Sequence, residues 1–409
     1  MQQYVVLKDC RLMIQGSEYR RIKALVSESN ALFPCIKQIY CGNVFWETRL
    51  IREHLGSDLL EFVPTESISH LLPLMIKPSH QGLELEEQLE RAWGVRFDKP
   101  YRIVLMNGTG TMLGDSLFGA SVARALIDHL KAKGVHLEFD VALAVNAARG
   151  SELIWQRLAP PGQLRRGAQT LEQLCQYDAM IDFCQLLKLK GYATEQRFDF
   201  YLDHFGVSPA RLASHLKKPR LAVRNAALVE VGERLEMLRH QGTKRLTFLQ
   251  PDASTPVRSM PPGFLSALVE RLLKDPSRRI VATSAMLRAL NSDTSIIDFH
   301  ELTKDSIDHY VALLAHMTEL ISVDTLALNI ACGLKKPTLG FFSQSEPDIL
   351  SKYWPELFPV VLPGAETLPF WHRHKADDSW PQAEPLYRSA WLELDIDQIV
   401  SQWEHRGEP

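Results

Sequence analysis

A buried strand that runs into a glycine-rich loop and then into a long amphipathic helix constrains the fold of this chain more than any other segment. The run IVLM at 103–106 has the length and composition of a strand that is buried on both faces. Apolar side chains then recur at helical spacing from Phe118 to Leu130, and Gly134 is typical of a helix end. The next segment, LEFDVALAV, has the composition of a second strand. This order of elements predicts the start of a doubly wound parallel sheet.

A second unit of the same kind is predicted in the later part of the chain. The strand RLTFLQP at 245–251 precedes a loop and the helix FLSALVERLLKD at 264–275. The strand RRIVATSA follows at 278–285, and the pattern from 316 to 342 predicts strand, turn, helix and strand again. We therefore expect an α/β protein that is built on two Rossmann-like lobes.

The remaining segments indicate where one domain ends and the next begins. Residues before 95 mix short strands with a charged helix and fit neither lobe. The two lobes are expected to join near 207–220. The predicted domains are an added N-terminal α+β segment at 1–97, an N-terminal lobe at 98–215 and a C-terminal lobe at 216–409.

The composition of the chain limits which partners and which cellular compartment are expected. The chain has 409 residues and a formal net charge of -3, so no nucleic-acid partner is predicted. No apolar run approaches the roughly 20 residues that cross a bilayer, and we expect at most peripheral membrane contact. The first residues lack the layout of a signal peptide, and the six cysteines include no CxxC pair. We therefore expect a cytoplasmic protein with reduced thiols and no metal site.

The loop between the first strand and its helix, NGTGTMLGDSL at 107–117, is compatible with several chemistries. Its glycines, Gly108, Gly110 and Gly114, are spaced GxGxxxG. A dinucleotide-binding loop instead has GxGxxG and an acid about 20 residues later. A purely structural role is also open, because glycines let a strand turn sharply and Asp115 can cap the helix.

The letters Gly-Asp-Ser-Leu at 114–117 also match the nucleophile block of GDSL-type esterases. Such a hydrolase needs Ser116 to be activated by a histidine that a carboxylate orients. That family supplies both groups in a late DxxH, and no DxxH occurs in this chain. An esterase is kept as an alternative that depends on Ser116.

The loop and its helix together resemble glycosyltransferase family 9, the ADP-heptose heptosyltransferases. The resemblance is carried by small residues, then Leu-Gly-Asp at 113–115, then an amphipathic helix that ends in Arg-Ala-Leu. It implies a GT-B fold, in which two Rossmann-like lobes face each other across a cleft. It also implies that Asp115 is the general base that takes the proton of the acceptor hydroxyl. The residues that it places on the acceptor side are Asn107, Gly108, Gly110 and Gly114.

Two later segments resemble the donor side of the same family. The loop after the strand at 245–251 carries Ser254 and Arg258, where the family has a basic residue that can bind the donor diphosphate. The segment SVDTLALN at 322–329 resembles the family's Asp-Ser-Gly-x-x-His block, which points the N-terminus of a helix at that diphosphate. The donor-binding residues implied by the resemblance are Ser254, Arg258, Asp324, Thr325, Leu326 and Asn329.

Several positions depart from the family pattern. Leu326 replaces the usual glycine, and Asn329 replaces the usual histidine. The segment 284–288 lacks the acid that the family uses to contact the donor ribose or sugar. His372 and His374 form an HxH without a third ligand nearby, so no metal is predicted there. A catalytically inactive GT-B-like binding or scaffold protein is therefore a further alternative.

Within the family, the autotransporter heptosyltransferases share the layout of an added N-terminal region. They carry a cysteine cluster for iron in the second lobe, whereas residues 216–409 here include only Cys332. Such a cluster cannot form within this lobe.

The resemblance implies transfer of a sugar, with heptose as the sugar expected, from an ADP-sugar to a hydroxyl group. The acceptor expected is the core of lipopolysaccharide or another glycan, lipid-linked or protein acceptor. Inversion at the anomeric carbon, with the ADP-sugar as substrate and no separate cofactor or metal, is also implied.

Overall fold

The fold is that of a computed structural model. The described residues are 3–7, 38–42, 60–63, 73–96, 99–144, 146–167, 169–184, 186–220, 223–238, 242–282, 296–298, 306–372 and 379–406. The chain divides into two compact units. Unit 1 comprises Met1–Tyr192 and Phe198–Lys217, and unit 2 comprises Ala193–Arg197 and Lys218–Pro409.

Unit 1 contains two sheets and the helices between their strands. The strands are β1 (Gln3–Leu7), β2 (Gln38–Gly42), β3 (Leu60–Val63), β4 (Leu74–Met75), β5 (Tyr101–Asn107), β6 (Leu137–Leu143), β7 (Leu164–Arg166), β8 (Gln169–Thr170) and β9 (Ala179–Asp182). The α-helices are α1 (Leu85–Trp93), α2 (Leu113–Ala132), α3 (Ser151–Leu158), α4 (Leu171–Leu174) and α5 (Arg197–His204). Single 3₁₀ turns lie at Ser79–Gln81, Leu186–Lys188, Pro209–Arg211 and Ser214–Leu216.

The larger sheet of unit 1 is parallel and has the strand order β4-β9-β5-β6-β7. Its central strand, β5, is buried at every position except Arg102, as expected of a parallel strand covered on both faces. The register of β5 with β6 runs from Tyr101 opposite Leu137 to Asn107 opposite Leu143. The smaller sheet is antiparallel, in the order β3-β1-β2-β8.

Aromatic side chains pack α5 and its final turn against the parallel sheet of unit 1. The ring of Phe183, just after β9, lies 5.6 Å from that of Tyr201 and 5.8 Å from that of Phe205. Phe205 also stacks on Phe139 of β6 at 5.9 Å. All four rings are buried, and each such side chain contributes about 1.5–3 kcal/mol to folding. This packing sets the position of Tyr201 relative to the loop after β5.

Unit 2 contains one sheet with helices between its strands. The strands are β10 (Arg245–Gln250), β11 (Arg278–Ala282), β12 (Ile296–Asp298), β13 (Glu319–Val323), β14 (Thr338–Phe342) and β15 (Leu357–Val361). The α-helices are α6 (Asn225–Leu238), α7 (Pro262–Leu273), α8 (Ile307–His316), α9 (Leu326–Gly333), α10 (Asp348–Ser351), α11 (Trp380–Leu392) and α12 (Ile396–Glu404). Single 3₁₀ turns lie at Pro256–Arg258 and Ala365–Thr367.

The sheet of unit 2 is parallel throughout, in the order β12-β11-β10-β13-β14-β15. The order reverses between β10 and β13, because the chain builds outward on one side of β10 and then returns to its other side. Ligands of doubly wound sheets bind beyond the carboxyl ends of the strands at such a reversal. The loops that follow β10, β13 and β14 are therefore where a ligand is expected.

A cluster of rings forms part of the core of unit 2. Phe264 of α7 lies 5.4 Å from Phe341 of β14 and 4.8 Å from Trp391 of α11, measured between ring centroids. Phe341 and Trp391 are 5.5 Å apart. This cluster joins a helix before β11 to the sheet and to a helix near the end of the chain.

At the opposite, amino-terminal edge of this sheet, a buried ionic network ties α12 to the strands. Arg278 is 1% exposed, and its guanidinium lies 3.2 Å from Glu319 and 2.7 Å from Glu404. Arg245 lies 3.1 Å from Glu319 and 3.2 Å from Glu404. Arg271 also lies 3.6 Å from Glu404, and Asp275 lies 3.7 Å from Arg245. Three arginines therefore face three carboxylates, and the charges of the network balance.

The prediction of an α/β protein is confirmed, because each unit is built on a parallel sheet with helical connections. Part of the segment predicted as an added N-terminal domain joins the parallel sheet of unit 1, since β4 pairs with β9. The domain boundaries at 97 and 215 stay predictions. Among the described residues, no helix combines the length and the apolar character that crossing a membrane requires.

Candidate functional site

The glycine loop of unit 1, residues 108–112, joins the carboxyl end of β5 to α2. Asn107, Gly108 and Gly110 have φ angles of 69°, 52° and 133°, which glycine adopts readily and asparagine tolerates. Gly110 also leaves space for a neighbour, because a Cβ atom at this position would lie 2.7 Å from Cγ of Asp115. Gly108 and Gly110 are therefore needed for the turn, and Gly110 also makes room for the carboxylate. Gly114, predicted in the same loop, instead lies in the first turn of α2, because the helix already begins at Leu113.

Hydrogen bonds hold the glycine loop from three directions. Nδ2 of Asn107 donates to the carbonyl of Phe183 at 3.0 Å. The hydroxyl of Tyr201 donates to the carbonyl of Thr109 at 2.8 Å, and Oγ1 of Thr109 donates to the carbonyl of Asp115 at 2.6 Å. The loop is thus fixed to the end of β9, to α5 and to the first turn of α2.

Asp115 lies in the first turn of α2, directly after Gly114, and is half-buried. Its Oδ2 accepts a hydrogen bond from the backbone N–H of Met112 at 3.2 Å. Asp115 is therefore a helix-capping residue, as the structural interpretation of the sequence expected. A carboxylate has two oxygens and about four acceptor positions, so capping is compatible with a role in proton transfer.

The esterase alternative fails at its nucleophile. Ser116 is 1% exposed, and its Oγ is buried without a hydrogen-bond partner among the described residues. A catalytic serine must reach its substrate and must contact a base. Ser116 does neither, because the first turn of α2 directs it into the interior of unit 1.

In unit 2, three of the predicted donor-binding residues meet beyond the ends of β10 and β13. Nη2 of Arg258 donates to Oγ of Ser254 at 2.7 Å. Nη1 of Arg258 donates to the carbonyl of Asp324 at 3.1 Å and lies 3.4 Å from its Oδ2. The side chain of Arg258 keeps 22% of its surface exposed. An oriented, accessible guanidinium thus lies at the reversal of strand order.

The helix α9 begins next to this guanidinium. Thr325 is its N-cap residue and has extended backbone, with φ -143°, but its side chain makes no capping hydrogen bond. Its Oγ1 instead lies 3.0 Å from Oγ of Ser322. The first N–H groups of α9 therefore receive no acceptor from the cap side chain. Leu326 is the first helical residue and is half-buried.

Further along α9, Asn329 is 5% exposed, and its Oδ1 has no hydrogen-bond partner among the described residues. Asn329 is therefore not a surface polar residue. Cys332, on the same helix, is also buried, and burial raises the pKa of its thiol. Cys332 therefore stays protonated and serves packing.

The structure adds residues to this edge that are not among the site residues predicted from the sequence. Oγ of Ser343, after β14, donates to the carbonyl of Val257 at 2.8 Å, which ties this segment to the turn that carries Arg258. The carbonyl of the next residue, Gln344, accepts a hydrogen bond from the N–H of His372 at 2.7 Å. The available signal was a polar Ser-Gln pair directly after the apolar strand TLGFF, where parallel sheets bind ligands.

Two features predicted from the sequence lie partly outside the described residues. Of the HxH pair, His372 is described and His374 is not. The segment 284–288, where the resemblance expects an acid, also lies outside them. Within the described ranges, no group of three or more His, Cys, Asp or Glu side chains is placed to hold a metal ion.

Comparison with known proteins gives matches among solved structures. No protein-family model and no curated protein sequence matches the chain. The ADP-heptose lipopolysaccharide heptosyltransferase II of E. coli is 16% identical, with a TM-score of 0.47, over 71% of this chain and 98% of that chain. A family 9 glycosyl transferase of Veillonella parvula is 10% identical, with a TM-score of 0.49, over 73% and 99%.

A third match extends over the N-terminal region as well. The iron-containing dodecameric glycosyltransferase TibC of enterotoxigenic E. coli is 12% identical, with a TM-score of 0.47, over 99% of this chain and 92% of that chain. The motifs at Asp115, Arg258 and Asp324 carry the resemblance in sequence. This chain is therefore similar to the heptosyltransferases and to a family 9 glycosyltransferase.

Proposed function

We propose that this protein is a glycosyltransferase that moves a sugar, heptose by analogy, from an ADP-sugar to a hydroxyl acceptor with inversion. The observation that carries the proposal is the guanidinium of Arg258, held by Ser254 and Asp324 beside the start of α9. In the proposal, unit 2 binds the donor substrate and unit 1 supplies the base. The acceptor is a hydroxyl of the lipopolysaccharide core, of another glycan or of a protein, and the reaction takes place in the cytoplasm.

A diphosphate is the ligand that this edge of unit 2 suits best. Arg258 offers a planar guanidinium, which pairs with two oxygens of one phosphate. The first turn of α9 adds backbone N–H groups and the positive end of a helix dipole. These groups stabilise the negative charge that develops on the leaving diphosphate when the bond to the anomeric carbon breaks.

Asp324 and Ser254 act on Arg258 in this proposal as positioning residues. A free arginine side chain loses up to about 2 kcal/mol of conformational entropy when a ligand fixes it. The hydrogen bonds to Ser254 and to the Asp324 carbonyl fix part of that freedom before the ligand arrives. A prearranged guanidinium therefore binds a diphosphate more tightly than a mobile one does.

Asp115 is the proposed general base. The acceptor oxygen attacks the anomeric carbon while its proton moves to the Asp115 carboxylate, and the electron pair of the broken bond leaves with the diphosphate. Attack on the face opposite the leaving group inverts the configuration. The glycine loop, which Asn107 and Tyr201 hold in place, fixes the carboxylate for this step.

A catalytically inactive binding or scaffold protein is the second candidate, and Leu326 favours it. Leu326 is the first residue of α9, where a phosphate approaches the backbone amides. A leucine side chain occupies space there that a glycine leaves open. This candidate predicts binding of nucleotides, or loss of binding, without transfer to any acceptor.

Calorimetric titration with ADP and an ADP-sugar tests the donor site. Truncation in Arg258→Ala removes charge-assisted hydrogen bonds, and we expect the Kd for ADP to rise about 10- to 100-fold. Arg388→Ala is the matched control, because Arg388 is 61% exposed and pairs with Glu384 on the same helix. ADP affinity should be unchanged in this control.

The outcomes separate the candidates. Equal ADP affinity in the wild-type protein and Arg258→Ala contradicts the proposed diphosphate site. If ADP binds and requires Arg258 but no sugar is transferred to any glycan or protein acceptor, the binding-protein candidate replaces the transferase. Binding of another nucleotide diphosphate in place of ADP changes the donor and leaves the site where it is proposed.

A further inference from the structure

We propose that Gln344 and His372 form a subsite that binds a ring hydroxyl of the donor substrate next to its diphosphate. This inference rests on the proposed function, because it assumes that a nucleotide sugar occupies the edge of the unit 2 sheet. Neither residue is among the donor-binding residues that the resemblance implies.

Gln344 is a buried polar side chain with an unused hydrogen-bond donor. It is 6% exposed, and its Nε2 has no partner among the described residues. The hydroxyl of Ser343, the residue directly before it, already donates to a backbone carbonyl. Buried polar groups in proteins nearly always have a hydrogen-bond partner. We therefore expect a ligand or a water molecule to accept a hydrogen bond from the amide of Gln344.

His372 presents a second unused group beside Gln344. Its backbone N–H donates to the carbonyl of Gln344 at 2.7 Å, and its Nδ1 is buried without a partner among the described residues. Its φ angle of 58° lies in the left-handed region, which residues other than glycine adopt rarely and often at functional sites. The fold therefore holds this imidazole in place at a cost.

The two unused atoms complement a hydroxyl group. In the neutral imidazole with its hydrogen on Nε2, which faces Glu346 at 4.0 Å, Nδ1 is a hydrogen-bond acceptor. Gln344 then offers a donor and His372 an acceptor. A hydroxyl accepts one hydrogen bond and donates another, so it satisfies both atoms at once.

The location connects this pair to the diphosphate site. Ser343, the residue before Gln344, donates to the carbonyl of Val257, the residue before Arg258. The strands β10 and β14 are separated by β13 alone, which corresponds to about 10 Å across the sheet. Asn329, with its own unpartnered Oδ1, lies on the helix that joins β13 to β14. A ring attached to a diphosphate at Arg258 can span this distance.

Two rings of the donor substrate carry such hydroxyls, the ribose of the nucleotide and the transferred sugar. Titration of ADP, 2′-deoxy-ADP, 3′-deoxy-ADP and an ADP-sugar distinguishes them. If the ribose is bound, loss of one hydroxyl should weaken binding to the wild-type protein about 5- to 20-fold, and Gln344→Leu should remove this discrimination. If the subsite binds the transferred sugar, Gln344→Leu should weaken binding of the ADP-sugar by a similar factor and leave the affinity for ADP unchanged.

The variants are chosen to keep the fold. Gln344→Glu preserves the volume of the side chain but removes the hydrogen-bond donor. It replaces Gln344→Leu in the titrations if Gln344→Leu lowers the thermal midpoint of the protein. His372→Gly removes the imidazole at a φ angle that glycine adopts readily. Glu356→Gln is the matched control, because Glu356 also has a buried, unpartnered oxygen among the described residues but precedes β15 at the amino-terminal edge of the sheet.

The result that overturns this inference differs from the one that overturns the proposed function. Arg258→Ala could weaken ADP binding while the Gln344 and His372 variants bind every ligand as tightly as the wild-type protein does. In that case only the proposed hydroxyl subsite is wrong, and water occupies it. If the wild-type protein binds none of the nucleotides, or if Arg258→Ala binds them as tightly as the wild-type protein does, the proposed donor site is wrong. The proposed hydroxyl subsite is then wrong as well.

Discussion

Asp115 accepts a hydrogen bond from the N–H of Met112 and, in the proposed function, also accepts the proton of the acceptor hydroxyl. Asp115→Asn separates these roles, because an amide oxygen can still cap the helix but cannot take the proton. We expect kcat to fall at least 100-fold while the thermal midpoint and the Kd for ADP stay close to the wild-type values. Steady-state kinetics and calorimetry measure these quantities.

Asp128→Asn is the control for this experiment, since Asp128 lies on the same helix, is 40% exposed and pairs with Arg124. Transfer that continues at the wild-type rate in Asp115→Asn would leave Asp115 with its capping role alone. A large fall in the thermal midpoint of Asp115→Asn would instead show that activity is lost because the glycine loop is disrupted.

Single residues differ in how far their roles can be predicted from the sequence. The position of Asp115 depends on local geometry, namely a strand, a turn and the first turn of a helix, and all three leave a pattern in the sequence. Gln344 and His372 meet through one backbone hydrogen bond between distant segments, and no local pattern records it. The resemblance points to Asn329, at the position of the family's histidine, but the burial of its side chain follows only from the folded unit.

At the level of elements, Asp203 fastens the turn at Ser79–Gln81 to α5. Burial disfavours the ionised carboxylate, but hydrogen bonds from Oγ of Ser79 and from the ring and backbone of His80 outweigh it, so the pKa of Asp203 is lowered. A lowered pKa means that ionised Asp203 stabilises the fold above the ordinary carboxyl pKa. This stabilisation is lost as the pH falls through the lowered pKa.

We therefore expect Asp203→Asn to reduce the free energy of unfolding by about 1–2 kcal/mol at neutral pH. The difference from the wild-type protein should shrink as the pH falls below 3.8, the ordinary pKa, because the wild-type carboxyl becomes protonated too. Urea unfolding of both proteins at a series of pH values measures this difference in the free energy of unfolding. A difference that is independent of pH would show that the loss comes from packing and not from the charge.

The elements of unit 1 and unit 2 were predictable where their signals are local. The buried run of β5 and the apolar face of α2 mark a strand and a helix in the sequence. The contact between Arg258 and Asp324 depends on β10 and β13 being neighbours, although β11 and β12 lie between them in the chain. General rules for doubly wound sheets favour this order, but the hydrogen bonds of Arg258 follow only from the folded unit.

On the scale of the whole molecule, each unit has its own sheet and buried core, so we expect two thermal unfolding transitions. ADP should raise only the transition of unit 2, by about 2.7 kcal/mol of stability when its concentration is 100 times the Kd. Scanning calorimetry with and without ADP measures this. The Asp203→Asn variant identifies the other transition, because Asp203 belongs to unit 1.

One cooperative transition for the whole chain would contradict this expectation. An increase confined to the transition that Asp203→Asn lowers would place the nucleotide in unit 1, and the donor site proposed at Arg258 would then be wrong.

The ionic network around Arg278 has a consequence for how the protein is made. Unit 1 is complete once residue 217 has left the ribosome, whereas the buried Arg278 lacks one of its two carboxylates until Glu404 has emerged. At about 5–20 residues per second, this interval lasts roughly 10 to 40 s. During it, the nascent chain carries a finished first half and a second half in which Arg278 is paired with Glu319 alone. Chaperone contacts with the nascent chain should therefore concentrate on the strands of unit 2 and end when α12 docks.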